Sequence, residues 1–146
     1  MSVQSNKSLI EGAMTAWNAG EEPYAAWTVE ALAQAIKLHF PQGELTGADM
    51  FRAYFHEIRG AFPDGHVSVD EVAAEGETVV VRYTFSGTNT GKLLTMPVTT
   101  GKPARFTVVD IWHLTNGKVV EFWESYDRYA MLEQLGLARE QTVALP

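Results

Sequence analysis

The chain contains no cysteine, so disulfides, thiolate metal sites and a cysteine nucleophile are excluded. It is also short of basic residues: 11 Lys and Arg stand against 18 Asp and Glu, a formal net charge of -7. A balance of that sign argues against a phosphate backbone or an anionic membrane as partner. Long apolar runs are missing too, none exceeding four residues, where a membrane-spanning helix needs about 20. The polar start, Met1 to Lys7, lacks the basic stretch and apolar segment of a secretory signal, and a soluble, cytoplasmic protein is expected. No Walker, GxGxxG, HExxH, GxSxG or EF-hand pattern occurs, which removes the usual support for nucleotide, zinc, calcium and serine-hydrolase chemistry. His39, His56, His66 and His113 are scattered without a close ligand spacing, so no metal site is expected.

What is present is an ordinary globular composition: 146 residues, 46% apolar and 20% charged, read as a single domain spanning 1–146 with a core from about 6 to 137. At this length roughly 70% of the unfolded surface is hidden on folding, enough for a core and a pocket within it. Ser8-Leu9-Ile10-Glu11 fits a capping box, and Ile10, Met14 and Trp17 continue a helical stripe to Asn18-Ala19-Gly20. Pro23 to Ala35 reads as a short helical or irregular segment, followed by alternation at Ile36, Leu38 and Phe40 and a stop at Pro41-Gln42-Gly43. A second helix opens at Thr46-Gly47-Ala48-Asp49, carries Phe51, Phe55, Ile58 and Phe62 on one stripe with Tyr54 beside it, and ends at Pro63-Asp64-Gly65.

From there the period changes to two. Val67 and Val69 lead to a turn at Glu75-Gly76-Glu77, and Val79, Val81, Tyr83 and Phe85 line one strand face. Gly87 to Pro103 is a long, weakly patterned connection of the kind that carries function or covers a site, and it is expected to be mobile. Phe106 to Leu114 and Val119 to Tyr126 form a hairpin around Thr115-Asn116-Gly117. A last helix runs from about Asp127 to Leu135, and Ala138 to Pro146 reads as a loose tail. About three helices with an antiparallel meander, and no strand-helix-strand alternation, mean an α+β fold.

Asp110 interrupts the apolar run Val108-Val109-Asp110-Ile111-Trp112, where a charge needs a partner or a function. An ion pair with Arg82 or Arg105 and a site role are both open. Alternation puts Asp110 and Trp112 on one face, Ile111 and His113 on the other. His113, near the hairpin turn, is either a solvated strand-end histidine or a proton carrier. Trp123, Ser125 and Asp127 follow one parity across the hairpin and come near it. Asp127 also stands where an N-cap is favoured.

The segments Ala61-Phe62-Pro63-Asp64, Glu75 to Tyr83 with Gly87-Thr88, Gly117 to Trp123 with Asp127, and Glu133-Gln134-Leu135-Gly136 resemble the SnoaL-like polyketide cyclases of the NTF2-like superfamily, over roughly Leu9 to Leu137. The resemblance implies a cone-shaped fold in which a curved antiparallel sheet wraps helices around a deep, apolar pocket. It implies an intramolecular aldol closure or isomerisation of a small hydrophobic, polyketide-like carbonyl compound, without metal or cofactor. In that reading Asp127 is the acid/base and His113 assists at the carbonyl. Trp17, Phe55, Phe62 and Trp123 line the pocket, with Ile111 and Ser125 where the cyclases carry Gln and His. Two alternatives on the same fold are a non-catalytic binding or carrier domain and an epoxide hydrolase, for which Arg105, Asp110 and Asp127 supply an Asp-Arg-Asp set, although alternation separates Arg105 from Asp110. A homodimer is expected through an outer sheet face on which Val108 and Trp112 need covering.

Overall fold

A computed structural model describes residues 2–92 and 99–138. Its first helix, α1 (Val3–Ala19), starts earlier than the Ser8 box suggests. The Ser2 hydroxyl accepts from the Ser5 amide at 3.0 Å while the Ser5 hydroxyl accepts from the Ser2 amide at 3.0 Å. That reciprocal cap satisfies two otherwise orphaned N–H groups with serine in place of the usual Glu, which is why the start escaped the pattern. Gly20, at φ 133°, ends α1 and leads straight into α2 (Glu21–Ala31), so of the two readings of Pro23 to Ala35, helical or irregular, the helical one holds through Ala31 and the rest belongs to a strand.

Strand β1 (Leu32–Phe40) follows without a loop, and β2 (Gly43–Thr46) folds back on it. The short β2 has too few apolar residues to announce itself in the sequence. Helix α3 (Ala48–Ala61) opens within the expected Thr46-Gly47-Ala48-Asp49 segment, with Gly47 as its N-cap at φ 108°, a backbone conformation that favours glycine. Then come β3 (His66–Glu75), β4 (Thr78–Thr88), β5 (Pro103–Thr115), β6 (Lys118–Tyr126) and α4 (Arg128–Gln134), which makes four helices among the described residues. The strand order is β2-β1-β6-β5-β4-β3. The expected meander accounts for β3 to β6, and β1 joins it in parallel beside β6. This is the cone-shaped α+β arrangement, with the apolar stripes of the helices on the concave side of the curved sheet.

Asn116 and Gly117 take positive φ values of 50° and 75°, as a two-residue hairpin turn matching strand twist requires. The turn pairs Thr115 with Lys118 and Leu114 with Val119, but the next pair is His113 with Glu121. Val120 is therefore a bulge, and the register is displaced by one residue from there on. Because strand side chains alternate, that one residue decides which half of β6 points inward. Phe122 and Glu124 are buried, whereas Trp123 is half-buried and Ser125 exposed on the convex face.

Val108 and Trp112 are 3% and 1% exposed and lie on the concave side, so they are core residues and give no reason for a dimer. The shoulders of the 87–103 connection are pinned by Asn89, whose side chain donates to the Ala61 and Gly91 carbonyls and accepts from the Thr100 amide at 2.9 Å. Of the 87–103 stretch expected to be mobile, residues 93–98 lie outside the described residues, as do 139–146 of the tail expected from Ala138 to Pro146. Among the described residues no helix is long and apolar enough to cross a membrane.

Candidate active site

The helical stripe and the concave strand faces do not quite meet. Between them lies a small, largely apolar cavity lined by residues of both layers. Helix α3 contributes Tyr54, Phe55 and Ile58 from consecutive turns, and Phe62 follows at its end. Tyr83 and Phe85 come from β4, Phe106 and Val108 from β5, Glu124 and Tyr126 from β6, and Trp17 and Met131 from the helices α1 and α4. Trp17 is fixed from outside: its Nε1 donates to the Gly65 carbonyl at 3.2 Å, and the Arg59 guanidinium sits 3.9 Å from the ring centroid. The wall is aromatic and aliphatic apart from one carboxyl group and three phenols.

That carboxyl group belongs to Glu124, 8% exposed, and directly across the β5–β6 ladder stands Asp110, 2% exposed. The two side chains are hydrogen-bonded to each other, which requires a proton on one of them. Burial is the main cause that pushes both upward, Asp110 well above the ordinary carboxyl range with the Glu124 charge adding to it, and Glu124 to about 8. At neutral pH both carboxyls therefore stay largely protonated, and when Glu124 ionises, near 8, Asp110 keeps its proton and donates it to Glu124. Tyr83 donates to Glu124 Oε2 at 3.5 Å, and its own ionisation is suppressed by burial and by the two acids. Asp110 Oδ1 has no hydrogen-bond partner among the described residues. Neither arginine named from the sequence reaches Asp110. Arg82 faces outward to Asp70 at 3.7 Å and Glu71 at 3.4 Å, and Arg105 is exposed, its backbone bracketed by Gln134.

The model of the SnoaL-like polyketide cyclase family matches residues 8–135. The chain belongs to that family. Solved structures agree on the fold. A candidate SnoaL-like polyketide cyclase from Jannaschia sp. CCS1 is 21% identical with a TM-score of 0.84, over 98% of this chain and 94% of the other. AclR, a candidate hydroxylase from Streptomyces galilaeus, is 26% identical with a TM-score of 0.77, over 92% and 98%. IdmH, a candidate polyketide cyclase from Streptomyces antibioticus, is 24% identical with a TM-score of 0.76, over 90% and 98%. No curated protein matches the chain.

Against this SnoaL-like frame, the site residues expected from the sequence divide into two groups. Trp17, Phe55 and Phe62 line the cavity. Ile111, His113, Trp123 and Ser125 lie on the convex face, where the His113 ring is 4.6 Å from that of Trp123. Asp127 is exposed and caps α4, accepting from the Ala130 amide at 2.9 Å. His113 pairs with Glu121, whereas Asp127 lies one residue beyond the Val108–Tyr126 pair, six strand positions or about 20 Å away. The structure thus does not bring Asp127 and His113 together. It does not assemble Arg105, Asp110 and Asp127 either, since only Asp110 is turned inward. Glu124 went unnoticed in the sequence because, without the Val120 bulge, the register counted back from Asn116-Gly117 sets Trp123 opposite Asp110. The signal that could have found it was the demand of Asp110 for a buried partner.

Proposed function

We propose that the cavity performs acid/base chemistry on a small hydrophobic, polyketide-like carbonyl compound, an intramolecular aldol cyclisation or an isomerisation, with Glu124 as the base. The observation that carries this reading is the proton-sharing pair Asp110–Glu124 buried at the wall of an aromatic cavity. A carboxylate held near 8 is strong enough to take a proton from carbon beside a carbonyl, and the apolar wall raises its basicity without the competition of bulk water. In the first step the C–H bond breaks, Glu124 takes the proton, and the electron pair moves to the carbonyl oxygen as an enolate. In the cyclisation the enolate carbon then attacks a second carbonyl of the same molecule. The new alkoxide recovers the proton from Glu124. Asp110 acts through Glu124, as hydrogen-bond donor to the ionised form.

The reading is tested by hydrogen–deuterium exchange at the α-carbon of 2-tetralone and related bicyclic ketones in D2O, followed by NMR. The wild-type chain exchanges above the buffer rate, and Glu124→Gln slows that exchange by about 100-fold or more while ketone binding stays within a few-fold. Exchange at the wild-type rate in the variant overturns the assignment of Glu124. Saturable binding with no exchange in the wild type favours the binding or carrier reading instead.

A further inference from the structure

A base in an apolar cavity raises charge on the substrate oxygen, and that charge needs a place to go. The cavity wall holds a second polar group that the acid pair does not use. Gln42, in the turn between β1 and β2, donates from Nε2 to the Tyr54 hydroxyl at 3.3 Å and to the Tyr126 hydroxyl at 3.2 Å. Each phenol oxygen thus accepts from the one Gln42 amide, which leaves its own O–H to donate, and at most one of the two can spend that proton on the other. Tyr126 stands two residues from Glu124 on the same strand, and an amide donor on its oxygen polarises its O–H and makes it a stronger donor. Packing fixes both rings: Tyr54 is stacked on Phe40, and the Phe106 and Tyr126 centroids are 5.3 Å apart. Both phenols line the cavity with Glu124.

We infer that Tyr126, polarised by Gln42, is the donor that holds the substrate's carbonyl oxygen as it becomes an enolate, and that the substrate is a flat bicyclic ketone. This rests on the acid/base reading of the same cavity. Tyr126 then touches the reacting oxygen and is a catalytic residue, whereas Gln42 acts through the two phenols and is a positioning residue. A planar substrate follows from the wall, in which Trp17, Phe55, Phe62, Phe85 and Phe106 offer ring faces and edges. Keeping Gln42 as an amide matters. A carboxylate at that position has only acceptors, so it would draw both phenol protons to itself and remove the free O–H.

The experiment compares 2-naphthol, which mimics the enol and enolate of a bicyclic ketone, with naphthalene, which shares the shape and lacks the oxygen. Affinities are measured on the full chain, with the absorbance of bound naphthol reporting its ionisation. The wild type binds 2-naphthol about 10-fold tighter than naphthalene and increases the naphtholate fraction, the scale of one good hydrogen bond. In Tyr126→Phe and in Gln42→Glu that preference falls to near unity and the spectral shift is lost, while naphthalene affinity stays within about twofold, which also shows that each variant keeps its cavity. Gln42→Met lowers the preference less than Gln42→Glu does, since it removes the amide donor without adding an acceptor for the phenol protons. Absence of a naphthol preference in the wild type, including absence of binding by either probe, overturns the inference, as does an unchanged preference in both Tyr126→Phe and Gln42→Glu. Glu124→Gln keeps the naphthol preference, so loss of the base and loss of the oxygen site give separate readouts.

Discussion

Glu121 and Glu124 belong to the same short strand and meet opposite conditions on its two sides. On the convex side Glu121 Oε2 lies 2.7 Å from His39 Nε2, and His39 Nδ1 lies 2.7 Å from Glu44, so each acid has a neighbour able to become a cation. The hydrogen bond to Glu121 is the largest cause that raises His39 above its ordinary value, and His39 stacks on Trp123 at 4.9 Å. On the concave side Glu124 meets another acid and, among the described residues, no cation, and the chain answers burial by keeping a proton. One face stores charge as ion pairs in water. The other stores it as an exchangeable proton away from water, which is the form a base catalyst needs.

The largest effect is expected from emptying the concave face. Phe122 is 0% exposed and lies two residues before Glu124 on that face, and Phe122→Ala is expected to cost about 4 kcal/mol, the scale of removing a buried aromatic ring. A thermal melt by circular dichroism reads it beside Trp123→Ala on the convex face, and equal losses in the two variants would contradict the division of β6 into a core face and an outer face.

The next effect is a pH dependence of stability. Unfolded, the Glu124 carboxyl loses its proton near 4.5, whereas the folded chain holds it to about 8. This group's contribution is complete below about 4.5 and fades as the pH climbs toward 8, because the unfolded state gains the ionised form first. Glu124→Gln removes that slope and raises stability at pH 8 by something on the order of 2 kcal/mol relative to wild type. Urea melts at pH 5 and pH 8 check it, and parallel profiles for the two chains would contradict the buried proton. The smallest effect is expected on the convex face. His39 is raised above 6.5, so its pairing helps fully below that value and is lost as the pH passes its folded value. His39→Gln should cost less than about 1 kcal/mol at pH 6 and nothing measurable at pH 9 in the same melts.

The fold was legible where one force dominated. The stripe of Phe51, Phe55 and Ile58, the alternation of Val79, Val81 and Tyr83, and the Asn116-Gly117 turn each follow from burial or backbone geometry at short range. The start of α1 was placed at Ser8 instead of Ser2, because the Ser2–Ser5 cap lacks the Glu or Gln that marks a capping box. The site was half legible. Asp110 stood out as a charge among apolar neighbours and the aromatic wall could be named, but its partner depended on a single bulged valine that no periodicity marks. The phenol cluster joins a turn, a helix and a strand that are distant in the chain, with Gln42 and Tyr126 separated by 84 positions, so nothing local points to it.

The parallel seam between β1 and β6 has a consequence in time. Its partners are far apart in the chain, His39 and Glu121 by 82 positions, and β1 has only the short β2 on its other side. During synthesis α1 to α3 and the first hairpin emerge long before the strand that joins them to the rest of the sheet. Closing so long a loop is slow relative to local helix formation, so refolding should be limited by the docking of β6. The same strand brings Glu124 and Tyr126, the base and the oxygen donor, into the wall. A nascent chain therefore has no reactive cavity until its last strand is in place, and acquires both poles of the site in one event.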